Sequence, residues 1–227
     1  MSKHFLSPII LAAGTSSNAP LNLQSGTNLT SATAGAMEYD GKVIYSTPTA
    51  RGVSPSMMFY RLNSNLAGAN STVSQSVFGV GVTVETSTIY AIKMVFALGK
   101  TAGGSLHNIS FSFDGGTATF NNMAISSYFA LFQAVPPTTN DLTTTTLWYG
   151  IHTTSASLQY VRSIAGATRT GVAIFDGTFS INAGGTFNPQ YTLSSAPGGA
   201  YSTLAGSYIS VWPIGTAGSN TSVGPWA

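Results

Sequence analysis

Charge is what this sequence has least of. Only 6% of its 227 residues are Asp, Glu, Lys or Arg, against roughly 25% in ordinary soluble proteins. Eight basic and six acidic residues leave a formal net charge of +2, so there is neither a basic field for nucleic acid nor an acidic one for cations. A surface this short of charge self-associates unless much of it is buried against copies or partners. That points to an assembly. Cysteine is absent, which removes any disulfide framework or thiolate nucleophile and leaves the redox compartment open. No apolar run is long enough to span a bilayer as a helix, so no membrane insertion is expected. Lys, Glu and Arg, the usual formers of helix surfaces, are scarce, and Ser, Thr, Asn and Gly fill the polar positions instead. That mixture favours strands and turns.

The chain opens with MSKHFLSPIILAAG, which mimics a signal peptide. Pro8 interrupts its apolar run and the basic region is minimal, so the segment reads as an uncleaved N-terminal arm. Residues 1–52 are irregular: Gly14, Pro20, Gly26, Gly35 and Gly41 punctuate short apolar pieces such as LNLQ. From residue 53 to 227 the pattern becomes a series of strands. VFGVGVTV (77–84) alternates large and small residues, IYAIKMVFAL (89–98) has the apolar character of a central strand, and LHNISFSF (106–113) stops at Asp114-Gly115-Gly116. ATFNNMAISSYFALF, TTTTLWYGIHTT, TGVAIFDGTFSI, GTFNPQYTL and SYISVWPI follow. Eight or nine strands separated by Gly, Pro and Asn turns, with no helical period and no fixed repeat, predict an all-β fold. It is a jelly-roll β-sandwich (53–227) preceded by an irregular N-terminal arm with a β-hairpin (1–52).

Residues suited to catalysis are as sparse as the charge. His4, His107 and His152 stand singly, none with a partner at metal-ligand spacing, and each reads as a polar strand or tail residue. GKT at 99–101 lacks the earlier glycine of a phosphate loop, that position being Met94, and it opens no helix. Asp114 and Asp176 each precede glycine, where capping a turn is the usual role. Neither an enzyme, a cofactor nor a metal is expected.

Glu38 and Asp40, in AGAMEYDGKVIYST (34–47), are two of the six carboxylates. Asp40-Gly41 is the preferred pair for the apex of a two-residue hairpin turn, which sets Tyr39 opposite Lys42, Glu38 opposite Val43 and Met37 opposite Ile44. The pair is therefore a hairpin feature, not an acid–base pair.

The stretch that carries this hairpin, LNLQSGTNLTSATAGAMEYDGKVIYSTPTARG (21–52), resembles a module of tailed-bacteriophage virion proteins, in which a "T…AGA-E-Y/F-DG" hairpin precedes a β domain. GTFSINAGGTFNPQYTLSSAPGGAYSTLAGSYISVWPIG (177–215) resembles the C-terminal part of jelly-roll domains of the same class, similar in layout to the trimeric tumour-necrosis-factor/C1q sandwiches. The two cover about half of the chain. The resemblance implies a virion component, usually trimeric, on the exterior of the head or on the tail. A compact chain without a fibrous shaft fits a head decoration (cement) protein that contacts the major capsid protein or another virion protein. The alternative is a short tail fibre or spike that binds a host surface glycan through Trp148, Tyr149, Trp212 or Trp226.

Two contact regions are expected from the residues themselves. Ile9, Ile10, Leu11, Leu21, Leu23 and Leu29 lie in a segment too short to bury them alone, which suits a virion contact. Tyr208, Ser210 and Trp212 share one face of their strand while Ile209 and Val211 share the other, so both faces need cover. Phe175 and Phe179 likewise share one side, unless a turn at Asp176-Gly177 intervenes. Phe175, Phe179, Tyr208 and Trp212 are the expected homotrimer interface.

Overall fold

The computed structural model describes residues 11–31, 33–47, 52–53, 57–132, 146–164 and 166–218. The chain divides into two units, Met1–Ser54 with Val223–Ala227, and Pro55–Ser222. In the smaller unit β1 (Met37–Tyr39), β2 (Ile44–Ser46) and β3 (Gly52–Val53) form an antiparallel sheet. Tyr39 faces Ile44 and Glu38 faces Tyr45, a register two positions away from the expected one, with Gly41-Lys42 at the apex instead of Asp40-Gly41. The Asp40 side chain is the reason. Its Oδ1 accepts the N–H groups of Lys42 and Val43, both at 2.8 Å, and its Oδ2 accepts the Tyr45 hydroxyl at 2.9 Å. Asp40 thus closes the turn from outside it, and Gly41 supplies the left-handed position at φ +95°. Burial pushes the Asp40 carboxyl up, but the amides of Val43 and Lys42 and the Tyr45 hydroxyl outweigh it and hold it below its ordinary value.

Glu38 holds the segment before the hairpin: its Oε1 accepts the Leu29 amide at 2.6 Å. Asp40→Ala is expected to remove three hydrogen bonds and destabilise the hairpin by about 1–3 kcal/mol. Faster amide exchange at Lys42 and Val43, with Pro55–Ser222 unaffected, is the measurement that checks it.

In the larger unit the strands run in the order β4 (Met58–Arg61), β5 (Leu66–Ala67), β6 (Gln75–Ser76), β7 (Val82–Val84), β8 (Thr88–Lys100), β9 (His107–Ser112), β10 (Thr119–Phe132), β11 (Thr146–His152), β12 (Leu158–Ile164), β13 (Arg169–Ala183), β14 (Gly185–Phe187), β15 (Gln190–Leu193), β16 (Ser202–Thr203) and β17 (Tyr208–Thr216). There is no helix among the described residues. One sheet pairs β4–β17–β8–β13, and the other pairs β6–β15–β9–β12. Numbered one to eight along the chain, these strands sit as one–eight–three–six and two–seven–four–five. That interleaving is the jelly roll, two Greek keys folded into two sheets. Between its fourth and fifth strands the long hairpin β10–β11 is inserted. It extends the first sheet past β13 to the six-strand path β11–β10–β13–β8–β17–β4, and the short strands β16 and β5 continue the same sheet from the far end of β8, which makes eight strands in all.

Period-two alternation explains the layering. On β8 Tyr90, Ile92, Met94, Phe96 and Leu98 are buried and Lys93 is exposed. Between the sheets Phe96, Phe111, Phe113, Phe129, Phe175, Phe179 and Phe187 pack edge-on, tilted or stacked, with centroids 4.6–5.8 Å apart. Phe175 and Phe179 are 0% and 1% exposed, so they belong to the core and not to a surface between subunits. Their strand passes Asp176-Gly177 without turning, because Gly177 packs against β10: a Cβ there would lie 2.1 Å from the Ala124 carbonyl oxygen.

Two more expectations change. Of residues 77–84 only Val82–Val84 is strand, since Gly79 turns at φ +71° with its amide held 2.9 Å from Ser76 Oγ. The strand β12, LQYVRSI, was not expected. Its polar residues Gln159, Arg162 and Ser163 break the apolar alternation that marks its neighbours.

Candidate functional site: an apolar interaction surface

The described ionisable side chains of the larger unit form no reactive constellation. Among the described residues no three His, Cys, Asp or Glu side chains group as metal ligands. His107 and His152 lie in strands, as expected, but inside the protein and not on a polar surface. His107 Nδ1 lies 2.8 Å from the Ser105 carbonyl and Nε2 2.9 Å from the Tyr201 hydroxyl. The carbonyl requires the proton on Nδ1, so Nε2 accepts from Tyr201. Burial depresses the His107 pKa, and the charges of Lys100 and Arg169 add to that. Lys100, also buried, donates to the carbonyls of Ala102 at 3.4 Å and Gly103 at 2.5 Å, pinning the loop that follows β8. Burial lowers its pKa, and Arg169, directly opposite across the strands, lowers it further. Each of these groups is spent on holding a loop or filling the core.

The outer face of the six-strand sheet is the feature that stands out. Register fixes which residues share it: Tyr149, Tyr128, Ile174, Val95 and Tyr208 follow one another across five strands. Leu147, Ala130, Val172 and Ala97 form the next row. Tyr149 is 65% exposed, Leu147 63%, Phe59 59%, Ile151 55%, Tyr128 47% and Ile174 42%. Charge enters this face at Arg61 and at Lys93 and Asp176, which are register partners. Large apolar side chains with this exposure, contiguous across a sheet, mark an interaction site more often than a solvated surface.

Tyr208 and Trp212 lie on this outer face, half-buried, opposite in direction to Ile209 and Val211. The expected interface set therefore splits: Tyr208 and Trp212 are outside, Phe175 and Phe179 inside. Trp148 points inward, 6.2 Å from Phe129, whereas Tyr149 points outward, 5.1 Å from Tyr128, so the two rings form no joint platform for a sugar. Trp226, Ile9 and Ile10 lie outside the described residues. Leu11, Leu21 and Leu29 are 47–58% exposed, and Leu23 is half-buried.

At the β4 edge of the same sheet a cavity of about 290 Å³ opens, lined by Met58, Tyr60, Phe78, Val82, Phe187 and Val211 among others. Register places the outer face; the sequence does not reveal this cavity, whose lining takes Phe78, Val80 and Gly81 from either side of the turn at Gly79.

No protein-family model matches the chain, and no curated protein matches it. A solved structure described as "Structure of infectious bursal disease virus Gx strain" aligns over 76% of this chain and 49% of that one, at 10% identity and a TM-score of 0.20. Similarity at that level carries no argument about fold or role.

Proposed function

We propose that the protein is a non-enzymatic structural component of a tailed-phage virion, a homotrimeric decoration protein on the outside of the head. The observation that carries this reading is the apolar outer face of the six-strand sheet, which nothing in Pro55–Ser222 covers among the described residues. Six large side chains at 42–65% exposure, in a chain with 6% charged residues, are a poor surface for a free monomer and a good one for assembly. The resemblance of residues 21–52 and 177–215 to phage virion proteins gives the assembly its setting. The exposed Leu11, Leu21 and Leu29 give the N-terminal arm apolar side chains with which to grip a capsid subunit.

Light scattering on the purified protein tests the oligomer. A trimer mass is expected, reduced to a monomer mass by Tyr208→Asp or Trp212→Asp with the β signal in circular dichroism retained. A persistent monomer at micromolar concentration overturns it. Removal of residues 1–54 is expected to leave a folded β domain that no longer binds undecorated heads. Normal occupancy by the truncated domain would remove the arm from the contact. Immunogold label on tail tips instead of heads would favour the fibre alternative.

A further inference from the structure

We propose that copies of the chain join head to tail, the β11 edge of one inserting its exposed apolar row into the β4-edge cavity of the next. This rests on the oligomer reading above and goes beyond it by naming the two unlike surfaces that meet, with Tyr208, whose ring stacks 5.8 Å from the cavity-lining Phe59, at the margin of the second.

The two features lie at opposite margins of one sheet. In the order β11–β10–β13–β8–β17–β4 they are five strand spacings apart, about 24 Å at roughly 4.8 Å each. No copy can satisfy its own cavity with its own row. A two-fold contact through either margin would set row against row or cavity against cavity and leave the cavity unfilled. A head-to-tail contact fills it, and repetition of that contact closes into a ring when the rotation allows.

The chemistry of the two sides matches. On β11 the outward residues Leu147, Tyr149 and Ile151 are 63%, 65% and 55% exposed, with Tyr128 beside them at 47%. In the cavity lining Phe59, Tyr60 and Val80 are 59%, 39% and 44% exposed, and Met57, next in the chain to the lining residue Met58, is 50% exposed. A cavity of about 290 Å³ holds one large apolar side chain and part of a second. Among the described residues neither the outward row of β11 nor the cavity lining includes a carboxylate: Asp176 faces outward in the middle of the sheet, and Arg61 ends β4.

The areas agree as well. Four half-exposed side chains a side, each presenting about 100 Å² of the roughly 150–250 Å² that a large side chain can bury, give about 400 Å² of apolar surface. A standard interface buries about 800 Å² per partner, a little over half of it non-polar. The apolar share is thus already present on each margin.

Two variants that each break one surface distinguish this from a two-fold contact through a single margin, and a wild-type trimer mass distinguishes it from a reciprocal two-fold dimer. Tyr149→Asp disables the row and Val80→Glu the cavity rim, at exposed positions where folding is retained; Leu147→Asp serves as a second row variant. Each alone is expected to be a monomer. Mixed in equal amounts, one row variant and one cavity variant retain one intact surface each and are expected to form a heterodimer of twice the subunit mass. Because the chain has no cysteine, Tyr149→Cys in one copy and Val80→Cys in another give a clean second readout. A disulfide-linked pair is expected from the mixture and not from either protein alone. If the wild type is a trimer but the mixture stays monomeric, or if the single variants remain trimeric, the head-to-tail contact is wrong and the trimer stands on another surface. If the wild type is itself monomeric, the oligomer reading fails first.

Discussion

Phe175→Ala should cost the larger unit about 3–5 kcal/mol, the usual range for emptying a fully buried aromatic site. Phe175 is 0% exposed and stands where the two sheets meet. Its ring lies 5.8 Å from Phe96 on its own sheet, 5.6 and 5.7 Å from Phe111 and Phe113 on and beyond β9, and 5.8 and 6.2 Å from His152 and Tyr160. Truncation to a methyl group leaves a hole between rings from both sheets, and strands held by hydrogen-bonded ladders cannot move in to close it. The native state of a domain is worth roughly 5–15 kcal/mol, so the variant is expected near or past the limit of folding at 37 °C. Urea titration in the monomeric background Tyr208→Asp gives the number directly. Phe175→Leu, which keeps most of the volume, should cost under about half as much. Tyr208→Ala, on the outer face, should change monomer stability little and oligomer mass strongly. A result in which Phe175→Ala dissociates the assembly while leaving each subunit as stable as before would return Phe175 to the interface.

That contrast shows what the sequence can and cannot say. Spacing tells that Phe175 and Phe179 share a side and that Tyr208 and Trp212 share a side. It does not tell which side faces in, because both faces of β13 and β17 carry large groups. Register decides it: Tyr208 pairs with Val95 and Ile209 with Met94, and only Met94 is core. The strands β8, β9, β13 and β17 of the jelly roll were legible because they are rich in β-branched and aromatic residues and bounded by Gly, Pro or Asn turns. β12 was not, since its polar residues obscure the period.

The hairpin register failed for a related reason. Asp-Gly is a strong turn pair, but an aspartate whose carboxylate can accept Lys42 and Val43 amides and a Tyr45 hydroxyl is worth more just outside the apex than within it. The cavity at the β4 edge had no sequence signal, for it is made by residues from β4, β7, β14 and β17. The buried histidines were hidden as well. A lone histidine in a Thr-rich strand looks polar until its neighbours in space are known.

One of those histidines gives the second large effect. His152 is 2% exposed, and neither ring nitrogen has a hydrogen-bond partner. Phe113 meets it at 4.9 Å, Tyr160 stacks on it at 5.6 Å and Phe175 lies at 5.8 Å. No charged group bears on it; burial alone pulls its pKa from the ordinary 6.5 down to about 4. In the unfolded chain the imidazole takes up its proton as the pH drops through 6.5, whereas the folded protein refuses it until about 4. Stability from this group is therefore complete above 6.5, lost progressively between 6.5 and 4, and gone below. Two and a half pKa units at 1.36 kcal/mol each set the loss at up to about 3 kcal/mol. His107, also depressed by burial, loses stability in the same direction, while Asp40 acts in the hairpin unit and only below its ordinary 3.8. His152→Phe separates them. A phenyl ring fits the aromatic surroundings and removes the unpartnered nitrogens, so at pH 7.5 the variant should equal or exceed the wild type in urea titration. Between pH 6.5 and 4 its stability should fall by up to about 3 kcal/mol less than that of the wild type. Parallel pH profiles for the two proteins would mean that His152 finds a proton partner in the folded state and that acid enters the fold elsewhere.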